Sequence, residues 1–418
     1  MENNNDNRSN DYASWLNTPE QSSNSQQPQH HDDYRKPRRR KSPAVIVILL
    51  ILAGLLLGGH FVTRATNRVM TGILSDGDSI PAAGIRFSQT GIVLDVNLRH
   101  SAVVVETHNQ SDFLVVFNPP SRGDYIRPTY EFSQNGMRLS ISEEPMVNIG
   151  LVNTGRRQGS LTVFVPQNID GAFSDMSIST SSGRIEIQGN NGPRLANSAN
   201  IKASSGRIQA ENFTAGTIAV STSSGSLAVN GLTATDGGFT ARASSGSIRA
   251  DNLVSSQNLN INTSSGSINA DNLAVTGGLY VEASSGRMTV ENFAAYSGSF
   301  RASSGNITLN NGGITAGGNL TTRTTSGAIR ASGLDVDGDI YMSASSGRLT
   351  AVGMTVSGSL SMETTSGGIT LENSSIDGQI NGRASSGNVR FSNIEDESRV
   401  NIRTTSGNIT VNGERWRR

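Results

Sequence analysis

The feature of this sequence that most constrains its fold is a Ser/Thr-Ser-Gly tripeptide that recurs with a period of roughly 20 residues. The intervals between successive glycines of the tripeptide differ by only a few positions. Repetition of this kind is typical of a solenoid, in which each repeat forms one coil that stacks on the previous one. The repeated glycines are Gly183, Gly206, Gly225, Gly246, Gly266, Gly286, Gly305, Gly327, Gly347, Gly367, Gly387 and Gly407.

Apolar residues alternate with polar ones inside each repeat, which predicts short strands instead of helices. The apolar positions after Gly266 are Ile268, Ala270, Leu273, Leu279, Val281 and Ala283. Three short apolar sets predict an all-β fold, a parallel β-solenoid of about 12 coils with a roughly triangular section and a thin aliphatic core. Inward residues should stack on their equivalents one coil earlier, and Asn269 should face solvent. Three expected pairs are Ile268 on Ile248, Leu279 on Leu259, and Val281 on Ile261.

The turns of each coil are predicted from small and turn-forming residues. Glycine in the tripeptide is expected to supply a backbone conformation closed to other residues, and the small serines allow coils to stack about 4.8 Å apart. An acidic residue followed by Asn marks a second corner, where Asn tolerates left-handed angles and can form a side-chain ladder. A third turn is marked by Gly-Gly or Asp-Gly at 237–238, 277–278, 317–318, 337–338 and 377–378.

The bulk composition agrees with an elongated repeat fold. Only 35% of the residues are hydrophobic and 5% aromatic, which is little for one large globular core. Thirty-four basic and 34 acidic residues balance, so nucleic acid is not an expected partner. Without cysteine the chain has no disulfide and no thiolate metal site, an absence that fits an extracytoplasmic bacterial protein.

Residues 1–34 are rich in Asn, Ser, Gln and Asp, and such a segment buries too little apolar surface to offset the entropy of ordering. We expect it to be disordered. Within it, Tyr12, Trp15 and Leu16 could share one face of a short induced helix and dock a cytoplasmic protein partner. The alternative is that they are isolated apolar residues in a solvated tail.

A membrane anchor is predicted at residues 44–62, a largely apolar stretch of 19 residues without a charge. As a helix they would span about 28 Å, close to the thickness of the bilayer hydrocarbon. Six basic residues in 35–41 precede this segment, so the positive-inside rule places the N-terminus in the cytoplasm and the solenoid outside the cell membrane. A cleaved signal peptide is the alternative, but its basic region would be far shorter.

The domain organisation follows from these features. Strands are also expected before the repeats, at 102–107, 113–118, 137–142 and 160–166, without the period of the repeats. Such atypical strands can cap the open edge of a solenoid. The predicted segments are a cytoplasmic tail with a basic juxtamembrane run (1–43), a transmembrane helix (44–62), a linker and entrance (63–94), an atypical β cap (95–175), the solenoid (176–413) and a basic tail (414–418).

The strand SLTVFVP (160–166), the segment MSISTSSGRIEIQG (176–189) and the serial repeats resemble a bacterial family of adhesin-type β-solenoid domains of unknown function. The resemblance covers roughly residues 95–413. It implies a β-solenoid fold, a single membrane helix in many members, and occurrence in envelope-stress operons. It implies no catalytic or binding residues.

The sequence predicts no catalytic, cofactor-binding or metal-binding residues. All five histidines precede the repeats, so the solenoid lacks a histidine base and a zinc cluster. A polysaccharide lyase or glycosidase would need a localised cluster of carboxylates or basic residues that breaks the repeat. Asp335, Asp337 and Asp339 form a local acidic run outside the regular corner; they could hold Ca²⁺, although a solvated turn is favoured. His100 and His108 are interpreted as surface histidines, with a metal pair as the alternative.

Two groups of arginines are candidates for contacts with anionic ligands. One group directly follows the corner glycine, but it is incomplete, so a solvated surface is favoured over an anionic-glycan groove. The other surrounds Trp416 in the tail 413–418, where the alternative is that Trp416 covers the last coil. The first group is Arg184, Arg207, Arg287 and Arg348.

Together these features predict a non-enzymatic, membrane-anchored cell-envelope protein whose extracellular solenoid acts as an adhesin or binds an envelope component, namely a cell-wall polymer, a glycan or a surface protein. One alternative is an envelope-stress sensor that signals through residues 1–43. A second is a polysaccharide-active β-helix enzyme, and a third is a structural protein that assembles through its solenoid ends.

Overall fold

The computed structural model describes residues 78–121, 127–143, 159–167, 169–189 and 193–416. The predicted tail and the predicted membrane segment 44–62 lie outside these residues. Within the described residues, no helix has the length and apolar character needed to cross a bilayer. The only helical elements in the described ranges are two 3₁₀ turns, Gln134–Gly136 and Glu397–Arg399.

The repeats form the predicted parallel β-solenoid of about 12 turns, because each strand pairs with the strand one coil earlier and one coil later. Each coil has three faces. We call the faces first, second and third, in chain order from one Ser/Thr-Ser-Gly corner to the next. In four consecutive coils a single strand continues from the first face to the second.

The strands that begin after each corner glycine build the first face. They are Ile185–Gln188, Ile208–Glu211, Leu227–Asn230, Ile248–Ser255, Ile268–Val275, Met288–Ala295, Ile307–Ile314, Ile329–Ser332, Leu349–Val352, Ile369–Glu372, Val389–Ser392 and Ile409–Val411. Separate second-face strands are Thr214–Ala215, Thr233–Ala234, Asp335–Val336, Thr355–Val356 and Ser375–Ile376.

The third face leads into each corner. Its strands are Asp170–Thr180, Arg194–Ala203, Thr217–Thr222, Phe239–Ala243, Leu259–Thr263, Gly278–Ala283, Ser297–Ala302, Leu320–Thr324, Ile340–Ala344, Leu360–Thr364, Ile380–Ala384 and Val400–Thr404. A final strand, Glu414–Arg415, pairs antiparallel with Ile409–Val411, and the Trp416 N–H donates to the Ile409 carbonyl oxygen at 3.0 Å.

The aliphatic core has the predicted register. Ile268 pairs with Ile248, Leu279 with Leu259, and Val281 with Ile261. All six side chains are at most 1% exposed, whereas Asn269 is exposed. The alternation of buried and exposed residues therefore assigns each side chain to the interior or to solvent, as expected for a pleated strand with one buried face.

The reason for glycine at the first corner differs from the prediction. The twelve corner glycines do not adopt the positive φ angles that other residues avoid. Instead, a Cβ at Gly266 would lie 1.9 Å from the carbonyl oxygen of Gly246, and a Cβ at Gly286 would lie 1.7 Å from that of Gly266. The backbone of one corner rests directly on the next, so no side chain fits between them. Close approach, and not backbone conformation, selects glycine here.

A threonine three residues before the corner glycine links successive corners. The Thr263 hydroxyl accepts the Gly266 N–H at 3.1 Å and donates to the Gly246 carbonyl oxygen at 3.1 Å. Threonine and alanine alternate at this position along the stack, except where Ala283 and Ala302 are adjacent. The threonines are Thr180, Thr222, Thr263, Thr324, Thr364 and Thr404.

The second corner has the predicted left-handed asparagine. Asn252 and Asn272 have φ of 55°, and the Asn272 Nδ2 donates to the Asn252 Oδ1 at 2.7 Å. Glycine takes the same role in other coils, as at Gly353 with φ of 61°. Asn is found here because it tolerates the left-handed backbone conformation, and its side-chain amide can form the ladder between coils.

At the entrance to the solenoid, the order of the coils in the stack differs from their order along the chain. Its strands, in the sequence order in which we number them, are β1 (Asp78–Ser79), β2 (Ile85–Phe87), β3 (Ile92–Leu98), β4 (Ala102–His108), β5 (Phe113–Asn118), β6 (Thr129–Ser133), β7 (Arg138–Ser142), β8 (Ser160–Pro166), β9 (Asp170–Thr180) and β10 (Ile185–Gln188). The coil formed by β3 and β4 lies between β7–β8 on one side and β9–β10 on the other. The strands predicted before the repeats are confirmed as β4, β5, β7 and β8.

Antiparallel strands cover the outer edge of this entrance. β5 pairs with β8 and β2, while β6 pairs with β7 and β1. The rings of Phe87 and Phe113 stack at 4.9 Å over the end of the core, and Phe113 contacts Phe173 at 5.2 Å. Antiparallel pairing changes the strand direction, so the parallel ladder ends here.

A buried carboxylate completes the first corner of the entrance. Glu143 is 6% exposed and accepts the backbone N–H groups of Arg99, His100 and Ser101 at 2.7, 2.8 and 3.2 Å. One coil further along the stack, the N–H groups of that coil's corner donate to the backbone carbonyls of the corner that contains Arg99. Glu143 therefore supplies the acceptors that a preceding coil supplies elsewhere.

We expect Ile268→Asp to lower the free energy of unfolding by on the order of 4 kcal/mol, because it places an unpaired carboxylate in the aliphatic core. Asn269→Asp, at an exposed neighbouring position, should change it by at most about 0.5 kcal/mol. Since each coil contacts only its neighbours, the lesion should open the stack locally. Limited proteolysis of the full-length variants checks this, and equal resistance of the two variants would contradict the register.

Replacement of Gly266 by Ala should destabilise the stack by about 2–3 kcal/mol, because the added Cβ overlaps the Gly246 carbonyl oxygen. Gly313→Ala is the matched control: the nearest atom to a Cβ there is 3.9 Å away and its φ is not left-handed. We expect that control to change stability by less than about 0.5 kcal/mol in urea unfolding. Equal losses in both variants would mean that corner contact is not what excludes a side chain.

Candidate functional site

The residues considered as metal ligands do not form a metal site in the described part of the chain. No group of three or more His, Asp or Glu residues there is arranged to hold a metal ion. His100 and His108 stand before and at the end of β4, roughly 25 Å apart along the strand. The His100 Nδ1 lies 3.1 Å from the Ser182 Oγ, and the His108 Nε2 lies 2.7 Å from the Asp112 carbonyl oxygen.

The acidic run 335–339 has two carboxylates engaged with the backbone of neighbouring coils. Asp337 accepts the Ala316 N–H at 2.8 Å, and Asp339 accepts the Ser359 N–H at 2.8 Å. Asp335 is exposed and makes no such bond to the described residues. Two of the three side chains therefore hold the third corner together, and their oxygens are directed to different coils.

The structure brings together a column of basic residues on the outer side of the third face. Each lies four residues before a corner glycine, and strand register places each directly above its equivalent in the previous coil. From Lys202 onward the column reads Lys202, Ser221, Arg242, Asn262, Glu282, Arg301, Arg323, Ser343, Glu363, Arg383 and Arg403.

A second column lies across the corner, at the residue that follows each glycine. Arg184, Arg207, Arg287 and Arg348 occupy it and are exposed. The two columns flank the ridge of corner serines. We call the basic residues of both columns the basic edge: Arg184, Lys202, Arg207, Arg242, Arg287, Arg301, Arg323, Arg348, Arg383 and Arg403.

Charge is strongly segregated around the coil. Ten of the 15 basic residues between positions 176 and 413 belong to the basic edge, whereas only two of the 16 acidic residues, Glu282 and Glu363, lie in its columns. The other acidic residues lie mostly at the second and third corners, as Asp251 and Asp337 do. A chain with no net charge therefore carries an electropositive edge along an otherwise acidic solenoid.

Several cations of the edge have no counter-ion among the described residues. Lys202, Arg242, Arg301 and Arg403 are exposed and form no ion pair there. Arg323 lies 4.9 Å from the centroid of the Tyr341 ring. Arg383 lies 3.9 Å from a Glu363 oxygen, which is a loose contact between partly exposed groups.

A shallow groove runs beside the corner serines on the third-face side. One stretch of about 890 Å³ extends from Asn97 to Ser284 and includes Lys202 and Arg242. A second stretch of about 760 Å³ extends from Ser343 to Ile409 and includes Arg383 and Arg403. Serine and threonine hydroxyls form much of the lining, and no aromatic residue takes part in either stretch.

The charges and hydroxyls of this arrangement can bind anions. Guanidinium and ammonium groups attract anionic ligands, and the hydroxyls can donate or accept further hydrogen bonds. Among the corner serines, Ser182 has a histidine beside it, because the His100 Nδ1 lies 3.1 Å from its Oγ. No histidine follows residue 108, so the later corners contain none. The chemistry of the groove is therefore that of an extended binding surface.

The incomplete column after the glycine was predicted from the sequence, whereas the column four residues before it was not. That column is visible once the repeats are aligned on their glycines and each position is read down the alignment. The two columns became one surface only through the fold, because the corner brings together residues five positions apart.

Comparison with protein families gives one match. The family model described as Toastrack DUF4097 matches residues 94–347 and 299–415, which together cover more than three quarters of the chain. No curated protein and no solved structure matches the chain.

We expect Asp339→Ala to lower the free energy of unfolding by about 1 kcal/mol, because the Ser359 N–H loses its acceptor. Asp335→Ala is the control and should change it by less than about 0.5 kcal/mol. Millimolar Ca²⁺ should leave the melting temperature of the unsubstituted full-length protein unchanged. A Ca²⁺-dependent rise that both substitutions abolish would instead establish a calcium site in this turn.

Proposed function

The chain belongs to the Toastrack DUF4097 family of β-solenoid domains of unknown function, and we propose that it is a non-enzymatic cell-envelope protein of the adhesin type. Residues 44–62 anchor it in the cell membrane, and the solenoid lies outside. The basic edge and its groove bind a component of the envelope.

The continuous register of the basic edge is the observation that carries this proposal. Each coil presents the same few positions to solvent, so a contact made at one coil can be repeated along the stack. Solenoids use such extended surfaces for binding, and a long open groove in which only the first corner serine has a histidine beside it suits binding better than catalysis.

The topology of the proposal is supported by the sequence before the solenoid. Six basic residues at 35–41 precede the apolar segment 44–62, and only Arg64 and Arg68 follow it closely. This asymmetry keeps the N-terminal tail in the cytoplasm and directs the C-terminal part of the chain across the membrane.

A second candidate is an envelope sensor, favoured by the composition of the tail. Tyr12, Trp15 and Leu16 are the main apolar residues in an otherwise polar segment, and they have the spacing of one helix face. In this case the solenoid detects the state of the envelope, and residues 1–34 recruit a cytoplasmic partner.

Two measurements on the full-length protein test the proposal. Protease added to intact cells should remove the repeats and spare an N-terminal tag; a protected solenoid would contradict the topology. The detergent-purified protein should sediment with insoluble envelope material, Ile268→Asp should weaken this, and Asn269→Asp should leave it unchanged. Failure of the unsubstituted protein to sediment would contradict the binding function.

Deletion of residues 1–34 separates the two candidates. Under the adhesin proposal, envelope binding survives the deletion and no regulatory output is lost. Loss of a transcriptional response to envelope stress, with binding intact, would favour the sensor.

A further inference from the structure

We propose that the ligand of the basic edge is a linear polyol-phosphate polymer, which lies extended along the solenoid axis. This inference depends on the proposed envelope-binding function and adds the chemical class of the ligand. The observations that carry it are the sign, the spacing and the surroundings of the cations on the third face.

The cations of the third-face column form three pairs. Lys202 and Arg242 are two coils apart, Arg301 and Arg323 are adjacent, and Arg383 and Arg403 are adjacent. Glu282 separates the first pair from the second, and Glu363 separates the second from the third. Ten coil intervals separate Lys202 from Arg403, which is roughly 50 Å at the usual strand spacing. The edge thus offers three cationic subsites to one long polyanion.

The irregular spacing favours a flexible polymer. Neighbouring cations are one, two or three coils apart, that is about 5 to 14 Å. A rigid polysaccharide with carboxylates at a fixed repeat would meet only some of them. A polyol-phosphate chain rotates freely between its phosphates and can adjust its charge spacing to each pair.

The groups in the groove match phosphate and hydroxyl chemistry. Guanidinium groups bind phosphate oxygens through parallel hydrogen bonds, and five of the six cations in this column are arginine. The corner hydroxyls of Ser204, Ser223, Ser244 and Ser264 line the same groove and can bond to polyol hydroxyls.

Other polyanions fit less well. Sugar rings and nucleobases bind largely through stacking on aromatic side chains, and the two groove stretches contain none. The Tyr341 ring beside the edge is covered by Arg323. A lipid surface would be expected to contact a cluster of exposed apolar residues, and only one large exposed apolar residue of the described chain, Tyr280, lies on the outer side of a third-face strand near the column, two residues before Glu282. Met137, Val254 and Tyr296 lie elsewhere. An acidic peptide could add as a strand only beside Val400–Thr404, because every other third-face strand already pairs on both sides.

The test uses full-length protein in detergent and poly(glycerol phosphate) as the probe. All variants carry Gln at the six basic positions of 35–41, which removes the other long cationic run. The edge variant combines Arg242→Gln, Arg301→Gln and Arg383→Gln, one from each pair. The control variant combines Arg249→Gln, Arg330→Gln and Arg390→Gln, which removes the same charge from the first face, away from the groove.

The edge variant should raise the dissociation constant by on the order of tenfold, and the slope of its logarithm against the logarithm of salt concentration should fall by about 2. The control variant should change the dissociation constant less than about twofold. Glu282→Gln with Glu363→Gln should tighten binding a few-fold, because it joins the three pairs. Monomeric glycerol phosphate should compete poorly, since it reaches only one pair at a time.

Equal binding by the edge and control variants would overturn the proposal. Tighter, edge-dependent binding of polygalacturonate, polyglutamate or anionic phospholipid vesicles would also overturn it and would assign the edge to that class instead. If the edge variant no longer sediments with envelope material but binds poly(glycerol phosphate) as well as the control variant does, the envelope-binding function stands and the polymer assignment fails.

Discussion

The structure depends on one close contact, that between the backbone of a corner glycine and the carbonyl oxygen of the glycine one coil earlier. Because a Cβ would lie 1.7–2.2 Å from that oxygen in eleven successive corners, only glycine allows the coils to reach strand-pairing distance at this edge. Once the corners are in contact, the register of all three faces is determined, and equivalent residues must stack. The aliphatic columns, the asparagine ladder and the charge columns are consequences of that register.

The same stacking explains why a polar surface of low sequence complexity can carry a specific pattern. A single arginine on a strand is a solvated residue of little energetic consequence. When arginine is repeated at one position of successive coils, the charges lie in a row, and the positive electrostatic potential along that row increases with the number of charged coils. The two glutamates in the column divide this field into pairs, and the acidic second and third corners confine it to one edge.

Much of the fold was predictable from sequence, because the period and the alternation report directly on coil length and side-chain direction. The inward positions of Ile268, Leu279 and Val281 and the left-handed Asn272 were predicted correctly. The role of the corner glycine was not, since close contact between coils depends on atoms of the preceding repeat and leaves no trace in local propensity. The order of the entrance strands was not predictable either, because β3 and β4 show the same alternation of apolar and polar residues as other strands, and tertiary packing decides which strands they pair with.

For the candidate site, the column after the glycine was predicted from sequence. Its partner column across the corner could be identified only once the strand register was known.

The inverted order of the entrance has a consequence for how the domain is made. β3 and β4 are the first long strands to leave the ribosome, yet one of their two flanking coils ends only at residue 188. Until that point of synthesis, the coil formed by β3 and β4 therefore has one side without its native partner strands. We therefore expect the cap to be completed only after residues 170–188, the first repeat, have been synthesised. The later coils then pair on those residues one after another.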